Sequence, residues 1–383
     1  MSEMELLAGV PTFLELVERF KTSRLPRAFT QLFMQGGVEE TDGDEMYFEK
    51  LINDRKLAPL RGRNADAFAF DAPDDKYIRQ GLIHVKIKER IHPQELFLKA
   101  AVGSPMKSNA ANVIARAAGR LYNRGMLTRE YCCAELLQNA SGVTIDSATT
   151  DFAAGGIQNS VTLASEGTIP SQAAGAAWTT AATEMLSGTD QIPEFLNVIE
   201  ANGYEGYRFI CDRAAMKSIM GNTEAKDWLT TNGGVTVQVA KDFARQYSDP
   251  ASRRGGDPFK DNIISGLGGI EKWNVWGHGY ENRSGTFTKF VTTTQGILLP
   301  NLQGFEGESP LGFAEGPSII PSPQVAIGVG EQAATLYAQR RGPVIWAYRE
   351  VSDAGALVLV YEDHFAPVIK DENAVLLCTG ITA

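Results

Sequence analysis

The chain has 383 residues, 43% hydrophobic and 21% charged, with a formal net charge of −10. That composition excludes a disordered chain and argues against a surface that grips nucleic acid everywhere by counterion release, and the length suggests roughly two to three domains. No apolar run approaches the ~20 residues of a membrane span, and the start (MSEMELLAGVPTF) has no basic region ahead of its apolar residues.

Residues 1–46 read as an arm. It holds one amphipathic helix over 11–21 (PTFLELVERFK), with Pro11 at its start and Phe13, Leu14, Leu16, Val17 and Phe20 on the apolar side. Residues 44–52 read as a strand. A polar excursion over 53–80 carries Pro59, Gly62 and Pro73. The return strand, 81–91 (GLIHVKIKERI), sets Ile83, Val85, Ile87 and Ile91 on one face and His84, Lys86, Lys88 and Arg90 on the other. A two-stranded ribbon with so long a tip buries little of itself and needs a surface to lie on. Residues 55–92 hold nine basic against five acidic side chains, a net of +4 that leaves −14 for the rest. Such asymmetry suits contact between unlike patches of neighbouring copies.

Residues 107–140 contain no proline and predict one helix, capped by Ser108 or Asn109. Val113, Ile114, Ala117, Ala118, Leu121 and Tyr122 recur at helical spacing, and Leu136 and Leu137 resume the face. At 1.5 Å per residue the rod spans roughly 48 Å, which suits a strut in a flattened subunit. Gly119 and Gly125 each cost about 1 kcal/mol there, so a bend is expected near Gly125. Arg116, Arg120 and Arg124 form an i, i+4 stripe with no acid between residues 107 and 129. Two readings stand side by side: an edge facing phosphate or acids, and a solvated helix face.

Short strands with Gly-Gly turns are expected over 143–163. Residues 164–187, rich in Ala, Gly, Ser and Thr, read as a linker followed by a helix and mark a domain boundary. A helix over 190–202 stops at Gly203. The strand 206–211 is followed by Asp212, placed to cap a helix through Met220, which is a βα sequence. Beyond it lie a short helix (225–228), an element at 235–243, a polar loop (248–261), a strand (271–277) and two strands within 286–299. A Gly/Pro-rich loop covers 303–323. Strands over 344–348, 356–361 and 375–379 close the chain.

Chemistry-bearing patterns are sparse. Gly328-x-Gly330-x-x-Ala333 follows an apolar run and precedes a candidate helix (EQAATLYAQRR), with Glu350 about 20 residues on, as in a dinucleotide-binding unit. Only about 50 residues follow, and Glu331 would face the pyrophosphate, so an ordinary turn is the favoured reading. His84, His92, His278 and His364 show no ligand spacing, and neither do Cys132, Cys133, Cys211 and Cys378, which read as free thiols in a reducing compartment. Asp74–Asp75 and Glu362–Asp363 read as solvated turn acids. No phosphate-binding loop or nucleophile elbow occurs. No catalytic, cofactor-binding or metal residue is assigned.

The order of pieces carries a resemblance. LAPLRGRNADAF, GLIHVKIKERIHPQ leading into the long helix, GYRFICDRAAMKSIM, FTKFVTTTQGILLPN and ALVLVYEDHFAPVIKDENAVLLCT together resemble the major capsid proteins of tailed bacteriophages, the lambda-type major head protein family. The resemblance implies an α+β chain with the Hong Kong 97-type fold. Its parts would be an N-terminal arm (1–46), an extended loop reaching across a neighbour (47–92), a peripheral domain with the spine helix (93–180, helix 108–139), an axial domain (181–325) and a return to the peripheral domain (326–383). The implied function is structural and not enzymatic: assembly into hexamers and pentamers of an icosahedral shell around double-stranded DNA. Implied partners are other copies, a separate scaffold protein, a portal, a decoration protein and weakly held DNA, with no membrane. The implied location is the virion, after assembly in the host cytoplasm. On this reading Arg61, Arg63, Lys76 and Arg79 make intersubunit contacts, and Arg116, Arg120 and Arg124 face the lumen. Lys76 stands where some relatives crosslink, but no acceptor is matched and no crosslink is assigned. Two alternatives remain: an encapsulin-type compartment, told apart by its contents, and a nucleotide-cofactor-dependent α/β enzyme using the Gly328 turn.

Overall fold

The computed structural model describes residues 27–50, 77–92, 94, 106–139, 143–145, 161–163, 168–180, 183–232, 262–281, 285–302, 309–321, 337–349 and 356–382. The expected features at 11–21, 53–76, 235–243, 248–261 and 328–333, with Arg61, Arg63 and Lys76, lie outside them.

In chain order the first elements are α1 (Ala28–Met34), β1 (Val38–Glu40), β2 (Glu45–Glu49), β3 (Tyr77–Gly81), β4 (Ile83–Ile91) and α2 (Met106–Gln138). Next come β5 (Val143–Ile145), β6 (Val161–Leu163), β7 (Ser171–Ala173), α3 (Ile192–Ala201), β8 (Arg208–Cys211), α4 (Arg213–Gly221) and α5 (Thr223–Asn232). The strands β9 (Asn262–Ser265), β10 (Lys272–Val275), β11 (Gly279–Glu281), β12 (Phe287–Lys289) and β13 (Gln295–Leu299) follow. The chain closes with β14 (Leu311–Glu315), β15 (Pro317–Pro321), β16 (Tyr337–Arg341), β17 (Val344–Arg349), β18 (Leu357–Ile369) and β19 (Leu376–Thr379).

The long helix is present as α2, 33 residues and about 50 Å at the standard rise. It begins ahead of Ser108 and Asn109, the expected caps, which therefore lie inside it. Ile114, Ala117, Ala118, Leu121 and Tyr122 are buried as their spacing predicts, and from Cys132 to Leu137 nearly every side chain is buried. The helix runs unbroken through Gly125. That glycine serves close packing: a Cβ built there would overlap the ring of Tyr361.

The central sheet is built on β18, 13 residues long. Along one edge it pairs antiparallel with β4, from Leu357↔Ile91 to Phe365↔Ile83. Along the other edge lie β17 and then β14, with β1 parallel beyond β14. Two expectations are corrected. Residues 83–91 are not the return arm of the ribbon; the partner of β2 is β3, from Glu45↔Gly81 to Glu49↔Tyr77. The stretch 303–323, read as a loop from its Gly and Pro content, contains a central strand. Its Gly312 lies close to Lys370, Val368 and Phe48, which a Cβ there would crowd.

One face of this sheet is covered by α2. Ile91, Ile345, Leu359 and Tyr361 meet Ile114, Ala117, Ala118, Leu121, Tyr122 and Met126. The opposite face takes the ribbon stem, where Phe48, Ile78 and Leu82 pack on Ala314, Ala366 and Val368. Burying each large apolar side chain contributes about 1.5–3 kcal/mol, which fixes the stem on the sheet.

A second sheet has the order β7-β19-β13-β8-β10-β9. Here the βα reading holds: Asp212 caps α4, its Oδ2 accepting from Ala214 N at 2.8 Å. Trp178, Phe195, Phe209 and Trp273 form the aromatic centre of this core. The linker region adds the strand β7, parallel to β19, where a helix was expected. Residues 337–341, read as part of a helix, form β16 in a hairpin with β15.

Candidate functional site

The ribbon stem has two unlike faces. Met46, Phe48, Ile78 and Gln80 point at the sheet. The other face carries Tyr47 and Tyr77, 58% and 56% exposed. Arg79 stands opposite Tyr47 and forks onto Glu45, with Nε to Oε2 at 2.7 Å and Nη2 to Oε1 at 2.6 Å. The hydrogen bonds from Arg79 hold the Glu45 carboxyl below the usual carboxylate range. Among the expected contact residues, Arg79 is thus engaged within its own chain. Lys50, next after β2, ties the stem to the turn between β18 and β19, its Nζ reaching Glu372 at 2.9 Å; Lys370 Nζ lies over the Phe48 ring of the stem and reaches Glu39 of β1 at 2.6 Å. Arg341, closing the β15–β16 hairpin, pairs with Glu40 and with Asp42 at 2.8 Å.

On α2, Arg116, Arg120 and Arg124 are all exposed. Arg120 bends to the sheet and pairs with Glu89 of β4. Its neighbours one turn away, Arg116 and Arg124, make no ion pair with a described residue.

The strongest charge cluster is one that spacing did not reveal. Arg129, 2% exposed, sends Nε to Asp363 Oδ2 at 2.6 Å, Nη2 to Asp363 Oδ1 at 2.5 Å and Nη1 to Glu315 at 2.7 Å. Its guanidinium lies 5.3 Å and 5.1 Å from the ring centroids of Phe313 and Phe365. Tyr361 Oη donates to Asp363 Oδ2 at 2.8 Å. Burial opposes the charge on Arg129, but Asp363 and Glu315 outweigh it and hold the group more firmly protonated than usual. Glu362 and Asp363 are therefore strand residues, not turn acids. Successive residues of β18 point to opposite faces, so Asp363 meets the helix while Glu362 meets Lys86 at 2.9 Å on the outer side.

Glu130, the next residue of α2, turns to α1. Its Oε1 accepts from Phe29 N and its Oε2 from Thr30 N and Thr30 Oγ1, each at 2.9 Å. Arg27, at the N-cap of α1, supplies no side-chain cap, so Glu130 does that work from another helix. Burial pushes its carboxyl up to about 7, against the pull of the backbone donors. The hint in the sequence is a charged Arg129-Glu130 pair followed directly by the apolar run 131–134.

Among the described residues no group of three or more His, Cys, Asp or Glu side chains is arranged to hold a metal. The four cysteines are buried and free, and burial pushes their thiols up, away from the reactive thiolate. No described helix is long and apolar enough to cross a membrane.

A comparison with curated proteins returns no match. Among solved structures, a prophage protein of Escherichia coli CFT073, assigned as its capsid protein, aligns at 13% identity over 81% of this chain and 80% of its own, with a TM-score of 0.50. A phage-related protein from Bordetella bronchiseptica RB50 aligns at 12% identity over 96% of each chain, with a TM-score of 0.49. The capsid of a native GTA particle aligns at 10% identity over 94% of this chain and 92% of that one, with a TM-score of 0.47. The fold shared with the prophage protein is the Hong Kong 97-type capsid fold. Nothing in these matches supports an encapsulin or a cofactor-dependent enzyme. Residues 16–307 match the family described as phage major capsid protein E. A spine helix laid across a β18-centred sheet, a ribbon stem on the sheet's far side and a family match over most of the sequence meet in one assignment: the chain belongs to the phage major capsid protein E family, whose members are structural proteins of the capsid shell.

Proposed function

We propose that copies of this chain form the hexamers and pentamers of an icosahedral shell around double-stranded DNA. The carrying observation is the ribbon stem. One face is buried on its own sheet and the other displays Tyr47 and Tyr77 to solvent, a pattern that suits a surface completed by another copy. The basic residues Arg61, Arg63 and Lys76 lie on the segment joining the two stem strands, so charge as well as apolar area would act at that contact. Arg79 would contribute through its Glu45 pair. In this reading the ribbon part of 47–92, up to β3, acts as the extended loop, while β4 stays in the central sheet; 93–180 with 326–383 form the peripheral domain, and 181–325 the axial domain. The 1–46 arm joins neighbouring copies.

A scaffold protein, a portal and a decoration protein would complete the assembly in the host cytoplasm. Arg116 and Arg124 would face packaged phosphate, each adding a small, salt-dependent attraction. The test is co-expression with the scaffold protein from the same phage, followed by sedimentation and electron microscopy. Closed shells or capsomers are expected. A purely monomeric profile at micromolar concentration would overturn the reading.

A further inference from the structure

Two histidines meet at the root of the ribbon. His84 of β4 and His364 of β18 are direct cross-strand partners on the outer face of the central sheet. Their ring centroids are 4.2 Å apart. The side chain of His364 is 15% exposed and that of His84 42%. Close by, Leu82 carries the chain from the stem into the sheet, its N–H donating to Asp44 O at 2.9 Å.

Each ring has one carboxylate within reach. His84 Nε2 is 3.8 Å from Asp44 Oδ1, and His364 Nε2 is 3.6 Å from Glu362 Oε1. Asp44 immediately precedes β2 and so belongs to the stem. Glu362 is already shared with Lys86 at 2.9 Å. From β15, the Pro317 backbone favours a charged His364 ring. Asp363 points to the other face and is held by Arg129. Leu82 and Gly316 close the apolar side of the pair. The surroundings therefore offer a first proton a partner but hold two imidazolium rings against each other.

We propose that this pair is a proton-operated hinge: when both rings are protonated they repel, and the ribbon stem is released from its fixed seat on the central sheet. Burial, and then the neighbouring His84, hold His364 below the ordinary histidine range. The sign follows directly. A base whose folded pKa is depressed stabilises the fold while neutral, and that contribution is lost as pH falls from the ordinary histidine value through the folded one. Acidification therefore loosens the stem. The inference concerns the subunit itself and does not depend on what the ribbon touches in a shell.

The test uses hydrogen–deuterium exchange on the full unassembled chain from about pH 8 to about pH 5, corrected for intrinsic exchange. Residues 45–49 and 77–84 are expected to gain exchange in one step, by about tenfold or more. His84→Gln and His364→Gln should each abolish the step, and His92→Gln should leave it. Imidazole NMR provides a reading that needs only small perturbation: the His364 signal should titrate below the ordinary range in the wild type and move up in His84→Gln. A stem with unchanged protection in the wild type, a step that survives in the double His84/His364 variant, or a His364 titration unmoved by His84→Gln would overturn the proposal.

Discussion

Arg129 and Asp363, 234 residues apart in sequence, form a buried two-point ion pair that joins the spine helix to the central strand of the sheet. The aromatic rings of Phe313 and Phe365 lie alongside, so water cannot replace a lost partner. Arg129→Met leaves Asp363 buried without its counter-ion, with only the Tyr361 hydroxyl donating to it, and is expected to cost about 3–5 kcal/mol of unfolding free energy. Arg129→Lys should recover only part of this, because an ammonium cannot fork onto both carboxylate oxygens. Urea denaturation of the unassembled subunit measures both. A loss under about 1 kcal/mol for Arg129→Met would contradict the role given to the pair.

Glu130 predicts a pH dependence of opposite sense to the histidine pair. Its folded pKa is raised from an ordinary 4.5 to about 7 by burial. A raised carboxyl favours the folded state when neutral. Its contribution is complete below the ordinary value and is lost as pH rises through about 7. The full swing is roughly 3 kcal/mol. Glu130→Gln keeps an acceptor for Phe29 N and has no charge to bury. The variant should show a flatter stability curve between about pH 5 and about pH 8, read by thermal unfolding at fixed ionic strength. A curve parallel to the wild type would remove Glu130 as the cause.

Reversing Arg61 and Arg63 to Glu should block shell formation while the subunit stays folded by circular dichroism. Single exposed pairs contribute only about 0–1 kcal/mol, so the effect arises from the same contact summed over many copies. Normal shells from the double variant would show that the loop does not work by charge.

The spine stripe gives a narrower test than its sequence spacing suggested. Arg120 is engaged by Glu89, so Arg116 and Arg124 are the residues to change. Replacing both with Gln should leave empty shells intact and lower DNA retention, with a weaker dependence on salt. Failure to form shells at all would make them structural or intersubunit contacts and end the DNA reading.

Much of the fold was legible locally. The alternation of Ile83, Val85, Ile87 and Ile91 marks the correct buried face of β4, yet the partner of the strand is β18 and not the other arm of the ribbon. Period two says which side is apolar; it does not say which strand supplies the next row of hydrogen bonds. Residues 311–315 were hidden for a related reason. Gly312 and nearby prolines look like loop chemistry, but here the glycine admits close neighbours from β18 and the stem, and Pro317 sits at the start of a hairpin strand. Of the expected contact and lumen residues, Arg79 and Arg120 proved to have partners in their own chain, because the acids that pair with them come from other strands.

By itself the sequence determined the spine helix, the buried face of β4, the Asp212-capped βα step and the family. Each rests on local period, capping chemistry or the order of elements, which survive without knowledge of distant contacts. Only the tertiary structure decided why residue 125 is a glycine, since the reason is the Tyr361 ring above it. The same holds for the Arg129–Asp363 pair, the Glu130 cap on α1 and the contact between His84 and His364. In each case the partner lies on a separate element, and a buried charge or a missing side chain acquires its meaning only when packing removes water and supplies that partner.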